Sequence, residues 1–318
     1  MRERRQLDAA TANWLLLITL ATYLTGSAIS GRLIDNFALQ ILIVQMSVLA
    51  PTIVFWLFLQ PKGERLSMLR NDLRIRPVKI STLLLVAVTM LFLSPLLTFI
   101  NLLSQLLSDY VAATSIVEEL AGVPFPVAFA AIALLPAVTE EFVYRGMLFG
   151  GYRKRSVLMG AIVSGLMFGM MHGNLNQLMY AFVMGVVFAL VDEITGSTVS
   201  SMVMHLLVNG TSVVLVYLMA DMQNRPGKVG EMMAEAAKET EKIGWADLGP
   251  FAVLALLGAV VAYKLLKALA LRCGTSEKMR EEMHKPGRAA AFFGLITAPL
   301  VVTIAILTAL IVVVELQG

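Results

Sequence analysis

The segment 79–106, KISTLLLVAVTMLFLSPLLTFINLLSQL, contains no Asp, Glu, Lys or Arg after Lys79. A helix of about 20 apolar residues is long enough to cross the hydrocarbon core of a membrane. This segment therefore predicts a transmembrane helix. Working outward from it in both directions, we find nine such stretches, at roughly 12–30, 38–60, 79–106, 125–150, 157–173, 176–192, 198–220, 248–271 and 289–315. Since 157–173 and 176–192 are short, we predict an all-α polytopic transmembrane bundle of about eight or nine spans.

The composition agrees with a membrane protein. Hydrophobic residues make up 58% of the 318 residues, charged residues only 15%, and the mean hydropathy is +0.78, whereas about a quarter of the residues of a soluble protein are charged. Cys273 is the single cysteine, which excludes an internal disulfide and a cysteine-based metal site. The sequence has no basic face interleaved with aromatic residues, so it does not suggest nucleic-acid binding. The expected partners are membrane lipids and a membrane-associated peptide or protein substrate.

The positions of Lys and Arg predict the orientation of the chain. With the N-terminus inside, nineteen of the 25 lie in cytoplasmic segments and five on the other side, which is the positive-inside asymmetry. We therefore expect a cytoplasmic N-terminus, in a prokaryotic cell (plasma) membrane, because the loops are short and no retention signal ends the chain. The first apolar run can also be a cleaved signal peptide, but the many spans that follow favour an uncleaved helix.

Domain organisation is expected to be simple. We interpret residues 1–318 as a single membrane domain. The polar segment 221–247 includes the turn-forming sequence Arg225-Pro226-Gly227 and a run rich in Glu, Lys and Ala. It is expected to be an extramembrane loop or helix, either simply solvated or covering the bundle.

Ionisable residues within the predicted spans are scarce and fall in three consecutive apolar blocks. The first block contains Glu140, Glu141 and Arg145, and the second contains Phe168 and His172. Buried charges are costly unless they are paired or functional. Glu141 and Arg145 are four residues apart and can neutralise each other on one helix face. Glu140 points about 100° away and has no local partner in the sequence, so it is the more available carboxylate.

The third block contains His205 and Asn209, again four residues apart. A single histidine in a membrane helix is more often a packed core residue than a functional one. Two histidines, a glutamate and an asparagine in neighbouring spans favour convergence on one site. Small residues at every fourth position predict close helix packing, and they are Gly165, Gly169 and Gly173, with Gly160 and Ser164. The third histidine, His284, lies in a basic loop and is excluded from the site.

Two chemical routes fit these residues. Glu140, His172 and His205 can hold a zinc ion with an open position for water. Without a metal, Glu140 can act as a general base toward a water positioned by His172. His205 and Asn209 can then stabilise the oxyanion. Both routes lead to hydrolysis of a peptide bond, and the sequence leaves the choice between them open.

Three motifs resemble those of the CAAX protease and bacteriocin-processing (CPBP, Abi) family. They are Glu140-Glu141-x-x-x-Arg145, Phe168-x-x-x-His172 and His205-x-x-x-Asn209, in the family's order, within roughly 122–216. The resemblance implies an intramembrane endopeptidase whose catalytic core is 122–216, acting on membrane-associated substrates that include prenylated CAAX tails.

The resemblance also implies roles for individual residues. Glu140 and His172 would act on the water, and His205 and Asn209 would lie at the metal or the oxyanion. Glu141, Arg145 and Phe168 would have structural roles, although the two glutamates can exchange roles in this interpretation.

Two other classes of function are weighed against a protease. A non-catalytic scaffold, immunity or regulatory protein of the same fold would have no need of the glutamate and both histidines. A proton-coupled transporter would use similar buried groups, but the sequence shows no internal repeat of the kind on which many transporters are built.

Overall fold

A computed structural model describes residues 6–108, 120, 122–223 and 244–317. Within these ranges the chain forms helices and no strands, so the predicted all-α bundle is confirmed. In the part of the chain that the structure describes, eight helices are long and apolar enough to cross a membrane, and the protein is an integral membrane protein. The helices are α1 Ala9–Leu33, α2 Phe37–Phe58, α3 Arg65–Asn71, α4 Ile80–Leu107, α5 Phe125–Tyr152, α6 Val157–Met170, α7 Leu175–Thr195, α8 Val199–Gln223, α9 Leu248–Arg272, α10 Ser276–His284, α11 Arg288–Phe293 and α12 Ala298–Gln317.

Two predicted spans differ from the structure. The segment 157–173 is helical only over Val157–Met170, fourteen residues, which is shorter than the eight spanning helices. The prediction of one continuous helix over 289–315 was wrong. Residues 294–297 are not helical and separate α11 from α12. Pro299 lies in the first turn of α12, where the missing N–H of proline costs no helical hydrogen bond. Most of the predicted loop 221–247 lies outside the described residues.

The described parts of the segments predicted to be cytoplasmic lie together at one end of the bundle, which we call the basic end. Its centre is the buried Glu193 carboxylate, which accepts hydrogen bonds from Arg74 (2.8 Å), Arg153 (2.7 and 2.8 Å) and Lys278 (2.6 Å). Burial alone would lower the pKa of Arg153, but the hydrogen bond and charge of Glu193 raise it above its ordinary value. The helix ends remote from this cluster form the opposite end.

At the opposite end, the last helix contacts two others through Glu315. Its carboxylate accepts from the Leu175 N–H at 2.9 Å and from the Ser108 hydroxyl at 2.7 Å. The Tyr217 hydroxyl donates to the carbonyl oxygen of Val123. The two ends of the bundle are therefore defined by contacts between segments far apart in sequence.

Helices α6 and α7 form a closely packed hairpin, as the small residues predicted. A Cβ atom added at Gly169 would lie 2.7 Å from the Leu178 carbonyl oxygen, and one at Gly165 would lie 2.8 Å from the Val186 nitrogen. Only a residue without a side chain allows the two backbones to approach this closely. This hairpin carries Phe168 and His172 into the centre of the bundle.

Helix α5 is not α-helical throughout. Residues 129–134 and 142–149 adopt π-helical geometry, one segment on each side of the two glutamates. Such segments alter the regular hydrogen-bond pattern of a helix and are frequent at functional sites. Here, the first of them contains the Ile132 carbonyl, which accepts a hydrogen bond from a side chain of α8.

Candidate active site

Glu140 is held by a side chain from another helix. Gln45 of α2 donates from Nε2 to Glu140 Oε1 at 2.8 Å, and Gln45 Oε1 accepts from the hydroxyl of Thr139. The Glu140 side chain is 17% exposed, whereas Glu141 is fully buried. Glu140, the glutamate predicted to be available, is therefore partly exposed, as expected. It nevertheless has a hydrogen-bond partner, Gln45, which belongs to another helix.

Glu141 and Arg145 form the ion pair that their spacing predicted. Arg145 Nε lies 3.0 Å from Glu141 Oε2, and both side chains are at most 1% exposed. The guanidinium carbon also lies 4.3 Å from the ring centre of Phe168 and 5.3 Å from that of Phe188. Cation–π contacts of this kind stabilise a desolvated charge, so Arg145 is enclosed by one carboxylate and two aromatic rings.

His205 joins this pair to Asn209. Its Nδ1 lies 2.8 Å from Glu141 Oε1, and its Nε2 lies 3.1 Å from Asn209 Nδ2. Asn209 Nδ2 also donates to the Ile132 carbonyl at 3.0 Å. Because a carbonyl can only accept, Ile132 fixes which end of the Asn209 amide is NH₂. His205 Nε2 then accepts the second N–H, and Nδ1 carries the proton that bonds to Glu141.

His172 uses one ring nitrogen within its own helix turn. Its Nδ1 lies 2.9 Å from the Phe168 carbonyl oxygen, which can only accept, so Nδ1 carries the proton. The other nitrogen, Nε2, is left as an acceptor. Phe168 packs edge-on against His172, with ring centres 5.0 Å apart, and against His205, at 5.9 Å. Phe168 is thus the contact that holds both imidazoles in place.

Two cavities, of about 190 and 200 Å³, meet at Glu140 and His172. One is lined also by Gln45, Tyr23 and Tyr144, and the other by His205 and Asn209. All four predicted catalytic residues therefore border open space. Glu141 and Arg145 line neither cavity.

Residues 122–211 match the family model described as type II CAAX prenyl endopeptidase Rce1-like. This segment, 90 of the 318 residues, is therefore similar to the Rce1-like family. The match confirms the resemblance that the three motifs indicated, and it includes all seven predicted site residues. No curated protein and no solved structure matches the chain.

The predicted zinc ligands can be compared with the geometry that a zinc ion needs. Among the residues that the structure describes, no three His, Cys, Asp or Glu side chains are grouped to hold a metal. Both nitrogens of His205 are already engaged, and its Nε2 lies 4.0 Å from Glu140 Oε2. Glu140 and His172 alone are fewer than the three protein ligands of a catalytic zinc. This arrangement does not fit the metal, and no step below uses one.

Two parts of the candidate site were missed in the sequence. Gln45 belongs to a helix outside the motifs, yet a polar residue within the apolar stretch 38–60 was a visible signal. The Ile132 carbonyl gave no signal, because a π-helical segment cannot be read from residue types. His284, excluded from the site, is exposed and bonds within α10 to the Arg280 carbonyl.

Proposed function

We propose that this protein is an intramembrane endopeptidase in which Glu140 activates a water molecule. The observation that carries the proposal is the position of the Glu140 carboxylate, which lies with His172 where two cavities meet inside a membrane bundle. Both residues belong to the segment that matches a family of CAAX prenyl endopeptidases. A carboxylate and an imidazole facing the same space are suited to general acid–base catalysis.

In the proposed mechanism the water binds two acceptors that the observed hydrogen bonds leave available. Gln45 occupies Glu140 Oε1, which leaves Oε2 for the water. His172 Nδ1 donates to a backbone carbonyl, which leaves Nε2 as an acceptor. A water that donates one hydrogen to Glu140 and the other to His172 keeps an oxygen lone pair available to attack a substrate carbonyl. Glu140 takes one proton as the oxygen attacks the carbonyl carbon.

Asn209, which lines one of the cavities with Glu140, is the proposed amide donor for the oxyanion. In the resting arrangement one Nδ2 hydrogen bonds to Ile132 and the other to His205 Nε2. In the proposed reaction the second hydrogen turns to the negatively charged oxygen, which is a stronger acceptor than a neutral imidazole. Glu141 holds His205 through Nδ1, so Glu141, His205 and Asn209 act as one positioning unit.

Collapse of the tetrahedral intermediate completes the reaction. The C–N bond breaks, the carbonyl re-forms, and Glu140 returns its proton to the leaving amine nitrogen. The products are a carboxylic acid and an amine, and Glu140 is again ionised. The proposed hydrolysis balances in atoms and protons without a metal or cofactor. The proposed substrates are membrane-associated peptides, and a prenylated CAAX-type tail is one form of substrate that the assay below compares.

The test is cleavage of quenched fluorescent peptides, with and without a farnesylated CAAX end, by purified protein in detergent. Loss of a general base lowers rates by about 10²–10⁴-fold, so Glu140→Gln and His172→Ala are each expected to lose that much kcat. The matched controls are Glu281→Gln and His284→Ala, both exposed residues of α10. They are expected to retain wild-type rates.

A chelator decides between the two chemical routes. Cleavage is expected to continue after treatment with a zinc chelator, because Glu140 and His172 bind and activate the water without a metal. Activity that is lost to the chelator and restored by zinc would show that Glu140, His172 and His205 rearrange around a metal. Unchanged cleavage by Glu140→Gln would refute the site assignment.

A further inference from the structure

One of the two cavities that meet at Glu140 and His172 is lined by Tyr23 and Tyr144 and not by Asn209. We call it the tyrosine cavity. It contains about 200 Å³ of open space. In the proposed mechanism neither tyrosine has a role. The ligand that this cavity can bind depends on the polar atoms that face it.

The Tyr144 hydroxyl is a buried polar group. Its side chain is 2% exposed, and no residue in the described part of the chain forms a hydrogen bond with the hydroxyl. By contrast, Tyr152 of the same helix donates to Asn13, and Tyr217 donates to the Val123 carbonyl. A buried tyrosine hydroxyl usually has such a partner, because a buried polar group without one is costly. The exception at Tyr144 indicates that its hydroxyl binds a ligand.

The hydroxyl oxygen of Tyr144 faces the tyrosine cavity. Several side-chain oxygens and nitrogens of the described residues are completely enclosed without a partner, and the Tyr144 oxygen is not one of them. The oxygen is therefore in contact with open space, and the open space that Tyr144 lines is this cavity. The ring packs edge-on against Phe168, with ring centres 5.1 Å apart. A donor on a packed ring is already oriented before a ligand arrives, which lowers the cost of binding.

Tyr144 lies four residues after Glu140 on α5. Residues four apart share a helix face, and both side chains line the tyrosine cavity. Two other donors of this cavity are engaged. Gln45 Nε2 donates to Glu140, and His172 Nδ1 donates to the Phe168 carbonyl. The Tyr144 hydroxyl is therefore a donor that stays available near the general base.

A peptide substrate brings its own need for donors. Each of its residues carries a carbonyl that requires a partner when water is displaced. In the proposed reaction the oxyanion binds Asn209, which lines the other cavity, and Glu140 returns its proton to the leaving nitrogen. The substituents of the tetrahedral carbon point apart, so the chain that continues from this nitrogen leads away from the oxyanion. The tyrosine cavity is the space beside Glu140 that Asn209 does not line.

We propose that the tyrosine cavity binds the leaving-group side of the substrate, and that the Tyr144 hydroxyl donates a hydrogen bond to the carbonyl of the residue that follows the scissile bond. Tyr144 is then a substrate-binding residue, and it neither gives up nor gains a proton in the reaction. The inference rests on the proposed function for the cleavage, but the binding is measurable without cleavage.

Tyr144→Phe removes the hydroxyl and retains the ring. A neutral hydrogen bond corresponds to a factor of about 2–10, so kcat/KM in the peptide assay is expected to fall by that factor. The thermal unfolding midpoint is expected not to fall, because no hydrogen bond within the protein is lost. The matched control is Tyr152→Phe, whose hydroxyl does have a protein partner. It is expected to lower the midpoint and to leave kcat/KM of the folded protein unchanged. A wild-type kcat/KM in Tyr144→Phe would overturn the proposal.

A single-atom change in the substrate identifies the carbonyl. A thioamide replaces the carbonyl oxygen with sulfur, which is a weaker acceptor, and the products are quantified by mass spectrometry. Sulfur in the residue after the scissile bond is expected to slow wild type by about 2–10-fold and to slow Tyr144→Phe no further. Sulfur in the carbonyl that precedes the scissile one is the control, and it is expected to affect both proteins equally. The assignment is wrong if the first thioamide also affects both proteins equally.

Binding to inactive protein separates this inference from proteolysis. The affinities of the oxygen and sulfur peptides are measured by thermophoresis in detergent, for Glu140→Gln alone and combined with Tyr144→Phe. The two Kd values are expected to differ by about 2–10-fold for the oxygen peptide and to coincide for the sulfur peptide. This result without cleavage by wild type would refute the proposed function and support the binding site. Cleavage by wild type with equal affinities in the two proteins would refute the binding site alone. If no peptide bound either protein, both would be refuted.

Discussion

Substitution of Gly169 by alanine tests how the α6–α7 hairpin sets the position of His172. The added Cβ would lie 2.7 Å from the Leu178 carbonyl oxygen, whereas ordinary contacts begin at 3.4 Å. The two helices must therefore separate by about 0.7 Å, the difference between these distances. Overpacking of this kind costs about 1–3 kcal/mol of stability. A misplacement near 1 Å can lower a catalysed rate by about 10²-fold.

The assay is peptide cleavage together with the thermal unfolding midpoint in detergent. Gly169→Ala is expected to lower both kcat and the midpoint, because His172 lies one helical turn beyond the substituted residue. The matched control is Gly31→Ala, where an added Cβ has no neighbour within 4 Å. If Gly169→Ala matched the control in both measurements, the inference that close helix packing places His172 would be wrong.

Three further predictions concern individual contacts. Gln45→Leu removes the donor to Glu140, and since a hydrogen bond to a charged group contributes about 1.5–3 kcal/mol, kcat/KM is expected to fall by about 10–100-fold in the peptide assay. Arg145→Met leaves the Glu141 carboxylate buried without its guanidinium, which is expected to cost about 3–5 kcal/mol and to lower the thermal unfolding midpoint. Asp8 caps α1, and the backbone hydrogen bond that it accepts lowers its pKa below the ordinary value of 3.8. Above pH 3.8, Asp8→Ala is therefore expected to lower the free energy of unfolding by about 1 kcal/mol, which is measured as a lowered thermal unfolding midpoint. That difference from wild type is expected to disappear as the pH falls through the lowered pKa, where the folded protein also binds the proton.

Each of these variants has a control in the chain. Gln40→Leu removes a glutamine of the same helix that bonds to the Ile34 carbonyl instead of Glu140. Arg280→Met breaks an exposed pair with Glu277, which is worth about 0–1 kcal/mol. Asp35→Ala removes an exposed acid next to the other end of α1. Equal effects in a variant and its control would contradict the contact assigned to the variant.

The membrane fold could be predicted because its main constraint is local. A helix satisfies its own backbone groups, so an apolar segment of sufficient length predicts a span without knowledge of its neighbours. The Glu141–Arg145 pair was predictable for the same reason, since residues four apart share a helix face. The short α6 and the break at 294–297 were predicted less well, because helix ends depend on packing against other elements.

The sequence by itself determined that this chain is an all-α membrane protein, that its basic loops share one side, and which ionisable residues enter the bundle. Only the tertiary structure decided how these residues act on one another. Gln45 reaches Glu140 from another helix, and the Ile132 carbonyl orients Asn209 and thereby fixes the proton on His205. The physical reason is that spacing along one helix specifies which side chains share a face. Contacts between helices depend on tilt, rotation and close approach, which arise from all the packed surfaces together.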